Sequence, residues 1–123
     1  MENLKTKKIN ENIFFFKKKM KKCITACRNC LKVMGKNTGC YKSCMDCLHI
    51  CSFLVKTKIY CSENDLKLLK LCVQCCVICI EECKKHPKIK ECNKCIEECT
   101  KCIQEIITNN SEKLKFLYLL ISK

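Results

Sequence analysis

Cysteines recur at steps of three or four residues along most of this chain, and this spacing limits its fold more than any other feature. The 17 cysteines form four groups and one isolated residue, at positions 23, 27 and 30; 40, 44, 47 and 51; 61; 72, 75, 76, 79 and 83; and 92, 95, 99 and 102. At about 100° per residue, such steps return to one side of an α-helix, so each group forms a stripe about 60–100° wide. The pattern Cys-x-x-x-Cys-x-x-Cys occurs once in each group without a fixed period, which predicts a helical bundle and not a solenoid.

Helix-breaking residues divide the chain where a four-helix bundle needs its turns. Residues 35–39 contain both glycines, Ser62 with Asp65 is a capping signal, and the single proline, Pro87, suits the first turn of a helix. The predicted helices are 11–34, 38–58, 63–85 and 87–108. Because short connections make neighbouring helices antiparallel, we predict an all-α fold, an antiparallel up-down-up-down four-helix bundle with a cysteine-lined core. The chain, 1–123, forms a single domain with the bundle at about 11–108, and the apolar extension 111–123 is a candidate for an extra C-terminal helix.

The sequence gives no indication of secretion or of a membrane span. The apolar run Ile13–Phe16 is too short for a signal peptide and is followed at once by lysines. No stretch reaches the ~18 apolar residues of a transmembrane helix. We therefore expect a cytoplasmic protein whose thiols stay reduced, and the odd number of cysteines also argues against a disulfide framework.

Antiparallel stacking sorts the side chains of the predicted bundle into two unlike ends. One end collects apolar residues from all four helices, namely Phe14, Phe15, Phe16, Phe53, Leu54, Val55, Leu66, Leu68, Leu69, Leu71, Ile103, Ile106 and Ile107. The cysteine stripes lie beyond this apolar plug, and Met34, His86 and the turn at 35–39 cap the far end. We therefore expect a plug stabilised by the hydrophobic effect and a tube lined by sulfur.

A sulfur-lined tube indicates a soft metal ion, since thiolates bind Cu(I), zinc and iron–sulfur clusters. Structural zinc needs discrete sets of four ligands, whereas these cysteines form a continuous ladder, and their spacing differs from the ferredoxin run that ends in Cys-Pro. Cu(I) accepts two or three thiolates, and replacing one thiol proton by one Cu(I) leaves the charge of the tube unchanged. Cu(I) is therefore favoured, and an iron–sulfur electron carrier and a metallothionein-like zinc buffer remain the alternatives.

The cysteine spacing resembles that of the cytosolic copper storage proteins, a family of cysteine-rich four-helix bundles. The most similar stretch runs from Leu71-Cys72-x-x-Cys75-Cys76-x-x-Cys79-x-x-x-Cys83-Lys84-Lys85-His86 into Cys92-x-x-Cys95-x-x-x-Cys99-x-x-Cys102, and Cys47-x-x-x-Cys51-Ser52-Phe53-Leu54-Val55 is similar to the end of the second family helix. The resemblance covers about residues 20–105. It implies storage of multiple Cu(I) ions inside the bundle, a homotetramer of bundles, and an entrance lined by His or Met, which here would be His86 and Met34.

The candidate metal ligands are all of the cysteines together with two residues at the implied entrance. They are Cys23, Cys27, Cys30, Cys40, Cys44, Cys47, Cys51, Cys61, Cys72, Cys75, Cys76, Cys79, Cys83, Cys92, Cys95, Cys99, Cys102, His86 and Met34. Cys61 is the weakest of these candidates because it lies in the loop at the apolar end. We interpret Met20, which continues the stripe of helix 1, as core filler, and His49 as an exposed residue on the opposite face of helix 2.

The formal net charge of +13 does not by itself indicate nucleic-acid binding. The basic residues are lysines except for Arg28, whereas base recognition favours arginine. The lysines are scattered around all the helices, as expected of a solvated surface. No arrangement of Ser, His and Asp or of Cys and His indicates catalysis, so we predict that the protein is not an enzyme. The expected partners are copper ions, further copies of the chain and a copper chaperone, with neither nucleic acid nor a membrane.

Overall fold

The computed structural model describes residues 4–57 and 63–108 of the chain, with side chains from Lys17 onward. Within these ranges it contains the four α-helices α1 (Leu4–Val33), α2 (Gly39–Lys56), α3 (Glu63–Cys83) and α4 (Lys90–Thr108), and no β-strand. None of these helices, over the residues described, is long and apolar enough to cross a membrane. The prediction of an all-α fold is confirmed.

The four helices are arranged as a square in cross-section. Helix α1 packs against α2 and α4, and α3 packs against the same two helices, while the backbones of the diagonal pairs stay farther apart. Sulfur atoms from the end of α1, the start of α2, the end of α3 and the start of α4 meet at one level of the core. This common level requires that neighbouring helices run in opposite directions, so the structure confirms the up-down-up-down bundle.

A compact turn connects α1 to α2. The Thr38 hydroxyl accepts a hydrogen bond from the Tyr41 N–H at 3.1 Å, so Thr38 is the N-cap of α2. The same hydroxyl donates to the Gly35 carbonyl at 2.7 Å. At Gly39, an added Cβ would lie 2.7 Å from a carboxylate oxygen of Glu82. A larger residue at this position would require the Glu82 side chain to move aside.

The helix boundaries differ from the predicted ones at two places. Helix α1 begins at Leu4, earlier than the predicted residue 11, since no glycine or proline interrupts the chain there.

Helix α4 begins at Lys90, so the prediction that Pro87 lies in its first turn is wrong. Residues 84–89 instead form a turn in which the His86 N–H donates to the Cys83 carbonyl at 3.0 Å. The side-chain amide of Asn93 donates to the Pro87 carbonyl at 3.0 Å and ties this turn to α4. The predicted capping residue Ser62 lies outside the described residues.

The apolar plug is smaller than predicted. Its fully buried or nearly fully buried members are Met20, Leu54, Leu69, Ile103 and Ile106. Phe53 and Leu71, which were predicted to lie in the plug, are 52% and 45% exposed. Phe53 lies about 120° around α2 from the nearest cysteine of its stripe and Leu71 about 80° around α3 from the nearest of its own, and these angles turn the side chains outward. The side chains of Phe14–Phe16 lie outside the described residues.

We predict that the metal-free, reduced protein is already mostly helical, because the plug buries apolar surface without any ion. Far-UV circular dichroism of the reduced protein in a chelator tests this directly. Leu69→Ala should lower the free energy of unfolding by about 2–5 kcal/mol, because it leaves a cavity in the plug. The matched change Leu71→Ala, at an exposed position, should cost no more than about 0.5 kcal/mol. A random-coil spectrum that becomes helical only when metal is added would contradict this prediction.

Candidate metal centre

The cysteines of all four helices face one another along the axis of the bundle. Fifteen cysteine side chains have no exposed surface at all, and these define the tube: Cys23, Cys27, Cys30, Cys40, Cys44, Cys47, Cys51, Cys72, Cys76, Cys79, Cys83, Cys92, Cys95, Cys99 and Cys102. All of the cysteines described are free thiols. The helical stripes predicted from the spacing thus converge on a single interior.

The tube is built of four layers, numbered from the end that contains the two short turns. The first layer is Cys30, Cys40, Cys83 and Cys92; the second is Cys27, Cys44, Cys79 and Cys95; the third is Cys23, Cys47, Cys76 and Cys99; and the fourth is Cys51, Cys72 and Cys102. In the first two layers the four sulfur atoms lie within 4.8 Å of one another. Each of the first three layers takes one thiol from each helix, as the antiparallel arrangement requires.

The sulfur–sulfur distances suit a metal ion held between thiolates. Within the layers they include 3.5 Å for Cys40–Cys83, 3.4 Å for Cys23–Cys99 and 3.7 Å for Cys51–Cys72. A metal–sulfur bond of about 2.3 Å separates two sulfur ligands by about 3.8 Å in a tetrahedron, about 4.0 Å in a trigonal plane and about 4.6 Å in a line. The thiols therefore need only small adjustments to bind an ion in a tetrahedron or a trigonal plane, and a pair must move apart by about 1 Å to bind one in a line.

Beyond the first layer, the four-thiol groups are linked to one another. Cys23 and Cys47 belong to two such groups, as do Cys51 and Cys76, and Cys27 joins the second layer to the third. The Cys95 and Cys99 sulfur atoms, in successive layers, are 4.0 Å apart. The first layer shares no member with the other groups found among the described residues. Most of the tube is therefore a continuous ladder of sulfur and not a row of separate sites.

The pKa values of the buried thiols are shifted in both directions. Burial raises the pKa of Cys92 to about 11 and also raises the pKa of Cys40, because the interior solvates a thiolate poorly. Hydrogen bonds from neighbouring thiols lower the pKa of Cys23 and of Cys79. Hydrogen bonding to neighbouring thiols, above all to Cys102, together with burial holds the pKa of Cys76 well above its usual range. An ion that binds as a thiolate complex must displace these protons, so its apparent affinity falls as the pH falls.

The end of the tube at the first layer carries the two residues assigned to an entrance. The Met34 sulfur lies 3.7 Å from the Cys92 sulfur and is half-buried. His86 is half-buried in the turn that follows α3, and its N–H is bonded to the carbonyl of Cys83, a first-layer residue. Among the described residues, none of the clusters of potential metal ligands includes His86. The Met34 sulfur, in contrast, is in direct contact with the tube.

Three predictions concern residues away from the tube. Cys75 is partly exposed and belongs to none of the four-thiol groups found among the described residues, so the structure does not bring this predicted ligand together with the others. Burial raises its pKa, as do the nearby charges of Cys72 and Asp46. Cys61 lies outside the described residues. His49 is exposed, as predicted.

Met20 lies in the core, as its interpretation as core filler predicts. Among the described residues it has no exposed surface and is one of the largest fully buried side chains. It lies three residues before Cys23, as Met34 lies four residues after Cys30, so the spacing of the α1 stripe extends to a thioether at each end. This spacing places Met20 on the face of α1 that carries its cysteines.

Comparison with known proteins agrees with this geometry. The copper storage protein family model matches residues 9–111, a range that contains every cysteine of the tube. Searches of the curated proteins and of the solved structures give no significant match. The match covers most of the chain, and the buried, clustered cysteines fit Cu(I)–thiolate binding. The chain therefore belongs to the copper storage protein family.

Proposed function

We propose that this protein stores many Cu(I) ions as thiolate complexes inside its helical bundle. The observation that carries the proposal is the tube itself, in which fifteen fully buried thiols lie in contact along one axis. Thiolates are the ligands that Cu(I) prefers. Because two or three thiolates suffice for each ion and one sulfur can bridge two ions, a continuous ladder can hold a row of ions side by side.

Charge favours Cu(I) over zinc in this interior. Each Cu(I) that replaces one thiol proton leaves the net charge of the tube unchanged. A zinc ion with four thiolates carries a net negative charge, and a charge in an environment of low polarity is costly unless it is paired. The described residues with no exposed surface include no lysine or arginine that could compensate such sites. With one Cu(I) per thiolate, and each thiolate bridging two ions, the tube can fill along its whole length without accumulating charge.

Contact between the thiols does not favour the alternative of an iron–sulfur electron carrier. An iron–sulfur cluster lies between its cysteines and holds them apart. Here the sulfur atoms touch one another, for example at 3.5 Å between Cys79 and Cys95. A metallothionein-like zinc buffer is not favoured either, because that kind of site folds around its metal, whereas Leu54, Leu69 and Ile106 already pack a core at one end of this bundle.

Copper enters and leaves the tube at the first layer. The opposite end is closed by the apolar plug, whose members Leu54, Leu69 and Ile106 have at most 1% of their surface exposed. At the first layer the half-buried thioether of Met34 lies beside Cys92, and His86 follows Cys83 in the adjoining turn. A thioether or an imidazole binds Cu(I) without becoming charged, so these side chains can pass an ion to the thiols. Weak ligands at the entrance and many thiolates inside allow uptake and retention by the same site.

We also propose a cellular location and an assembly state for the protein. A store that depends on free thiols suits the cytoplasm, where thiols remain reduced. We place the bundle in a homotetramer that receives its copper from a copper chaperone and performs no catalysis of its own. Size-exclusion chromatography with light scattering tests the tetramer, for which a mass of about four times 14.4 kDa is expected.

We predict that the reduced protein binds on the order of ten or more Cu(I) ions, since fifteen thiols can each bridge two ions. Anaerobic titration against a chromogenic Cu(I) chelator gives the stoichiometry. Cys79→Ser and Cys99→Ser should each lower the capacity, because they remove sulfur from inner layers. The matched change Cys75→Ser, outside the tube, should leave it unaltered. Saturation near four ions in the unmodified protein would contradict a filled tube.

We also predict that copper retention weakens as the pH falls. The pKa of Cys92 is raised to about 11, so its thiol is protonated throughout the neutral range and must lose that proton to bind an ion. For each proton displaced per ion, the apparent affinity should fall about tenfold per unit decrease in pH. Chelator competition at several pH values between 5.5 and 8, corrected for protonation of the chelator, measures this slope. An affinity that does not change with pH would show that the thiols are not the ligands.

A third prediction concerns the direction of uptake. The double change Met34→Ala and His86→Ala should change the rate at which a chelator loads or strips the protein and leave its capacity nearly intact, because the thiols remain. Ile106→Ala, which loosens the plug at the opposite end, is the matched control and should leave the rate unchanged. Stopped-flow absorbance with a Cu(I) chelator measures both rates. Unchanged kinetics in the double variant, together with faster exchange in Ile106→Ala, would reverse the assigned direction.

A further inference from the structure

The fourth layer of the tube lacks a thiol from α1. Its cysteines, Cys51, Cys72 and Cys102, come from α2, α3 and α4. The four-thiol group found at this level is completed by Cys76, which belongs to the third layer. The deepest level of the tube therefore has three thiols of its own, whereas every other level has four.

The antiparallel register assigns the missing position to Met20. From the first layer to the third, the contributing residue moves along α1 from Cys30 to Cys27 to Cys23, along α2 from Cys40 to Cys44 to Cys47, and along α4 from Cys92 to Cys95 to Cys99. The next step on α2 and α4 reaches Cys51 and Cys102, and the next step of three residues on α1 reaches Met20. At about 100° per residue, Met20 stays on the side of α1 that carries its cysteines.

The burial of Met20 agrees with this position. None of its surface is exposed, and it belongs to the same core cluster as the cysteines of the tube and Leu54, Leu69 and Ile106 of the plug. The residue therefore lies where the sulfur-lined part of the core meets the apolar part. At this boundary its CH₂ groups can pack against the plug, and the flexible side chain can turn its sulfur toward the fourth layer.

A thioether is suited to this level for chemical reasons. It is a soft ligand for Cu(I), and it brings no proton to displace and no charge to bury. With Met20, the ion at the closed end gains one more sulfur ligand, while the charge of the layer is still set by its three thiols. Met34, at the other end of the same stripe, is half-buried and suits exchange, whereas the full burial of Met20 suits retention.

We propose that Met20 is a copper ligand, which completes the fourth layer with Cys51, Cys72 and Cys102 and holds the Cu(I) ion at the closed end of the tube. The proposal rests on the proposed function, since it requires that the tube bind Cu(I). It differs from the interpretation of Met20 as core filler in one respect that can be measured, namely a bond between its sulfur and copper.

Selenium in place of the methionine sulfur reports on that bond directly. The protein is produced with selenomethionine in a Met34→Leu, Met45→Leu background, with and without Met20→Leu, and is filled with Cu(I). Since leucine is close to methionine in volume, both proteins should fold, and circular dichroism checks that they do. X-ray absorption at the selenium edge should show copper at bonding distance in the protein that keeps Met20, and this signal should be lost in Met20→Leu.

Chelator competition supplies a second, independent readout. At equilibrium with a chelator, Met20→Leu should weaken the binding of the Cu(I) ion at the closed end about tenfold, while Met45→Leu, the loss of a half-buried methionine off the cysteine stripe of α2, should leave the affinity of that ion unchanged. If the unmodified protein fills with copper but selenium at Met20 has no copper neighbour, Met20 is core filler and the inference fails while the proposed function stands. If the unmodified protein takes up no Cu(I), both fail.

Discussion

The antiparallel register of the four helices is the constraint on which the site depends. Going from one layer of the tube to the next deeper one moves three or four residues toward the N-terminus on α1 and α3 and three or four residues toward the C-terminus on α2 and α4. Residues from all four helices therefore lie at the same level. Contacts such as Cys23–Cys99 at 3.4 Å and Cys40–Cys83 at 3.5 Å show how closely the levels match. A shift of one helix by a single residue would turn its stripe about 100° away from the axis. The short turn capped by Thr38 limits the register of α1 against α2 at one end, and the packing of the plug limits the register at the other.

The bundle separates the task of folding from that of binding. Leu54, Leu69 and Ile106 bury apolar surface at one end, so we expect the helices to order without an ion. The thiols are small, and the raised pKa values of Cys92 and Cys40 keep these two protonated at neutral pH while the tube is empty. Copper then enters a tube whose ligands are already in position, and little conformational entropy is lost on binding. Because each Cu(I) takes the place of a proton, filling the tube introduces no buried charge.

The cysteine stripes could be predicted from spacing, because steps of three and four residues return to one side of a helix. The helix-breaking residues and the short connections between them predicted the number of helices and their alternating directions. The predictions about the plug that failed considered the position of each residue along the helix axis and neglected its angle around the helix. Phe53 and Leu71 lie at the level of the plug but point outward, and Pro87 lies in a turn held by Asn93 and not in α4. On α3, Cys75 lies outside the arc of about 60° that contains Cys72, Cys76, Cys79 and Cys83. Grouping the cysteines by position along the chain did not reveal this difference. The distances between stripes depend on how the helices are rotated against one another, which a single sequence does not encode in any simple pattern.

The central claim is that copper occupies the interior of the bundle as a row of ions between the layers of thiols. X-ray diffraction from crystals of the Cu(I)-filled protein, with anomalous differences collected on both sides of the copper absorption edge, tests this most directly. The account predicts a series of copper peaks along the axis from Met34 to Met20, each within bonding distance of two or more sulfur atoms. Copper confined to one isolated four-thiol site, or bound at the surface with the tube empty, would contradict it.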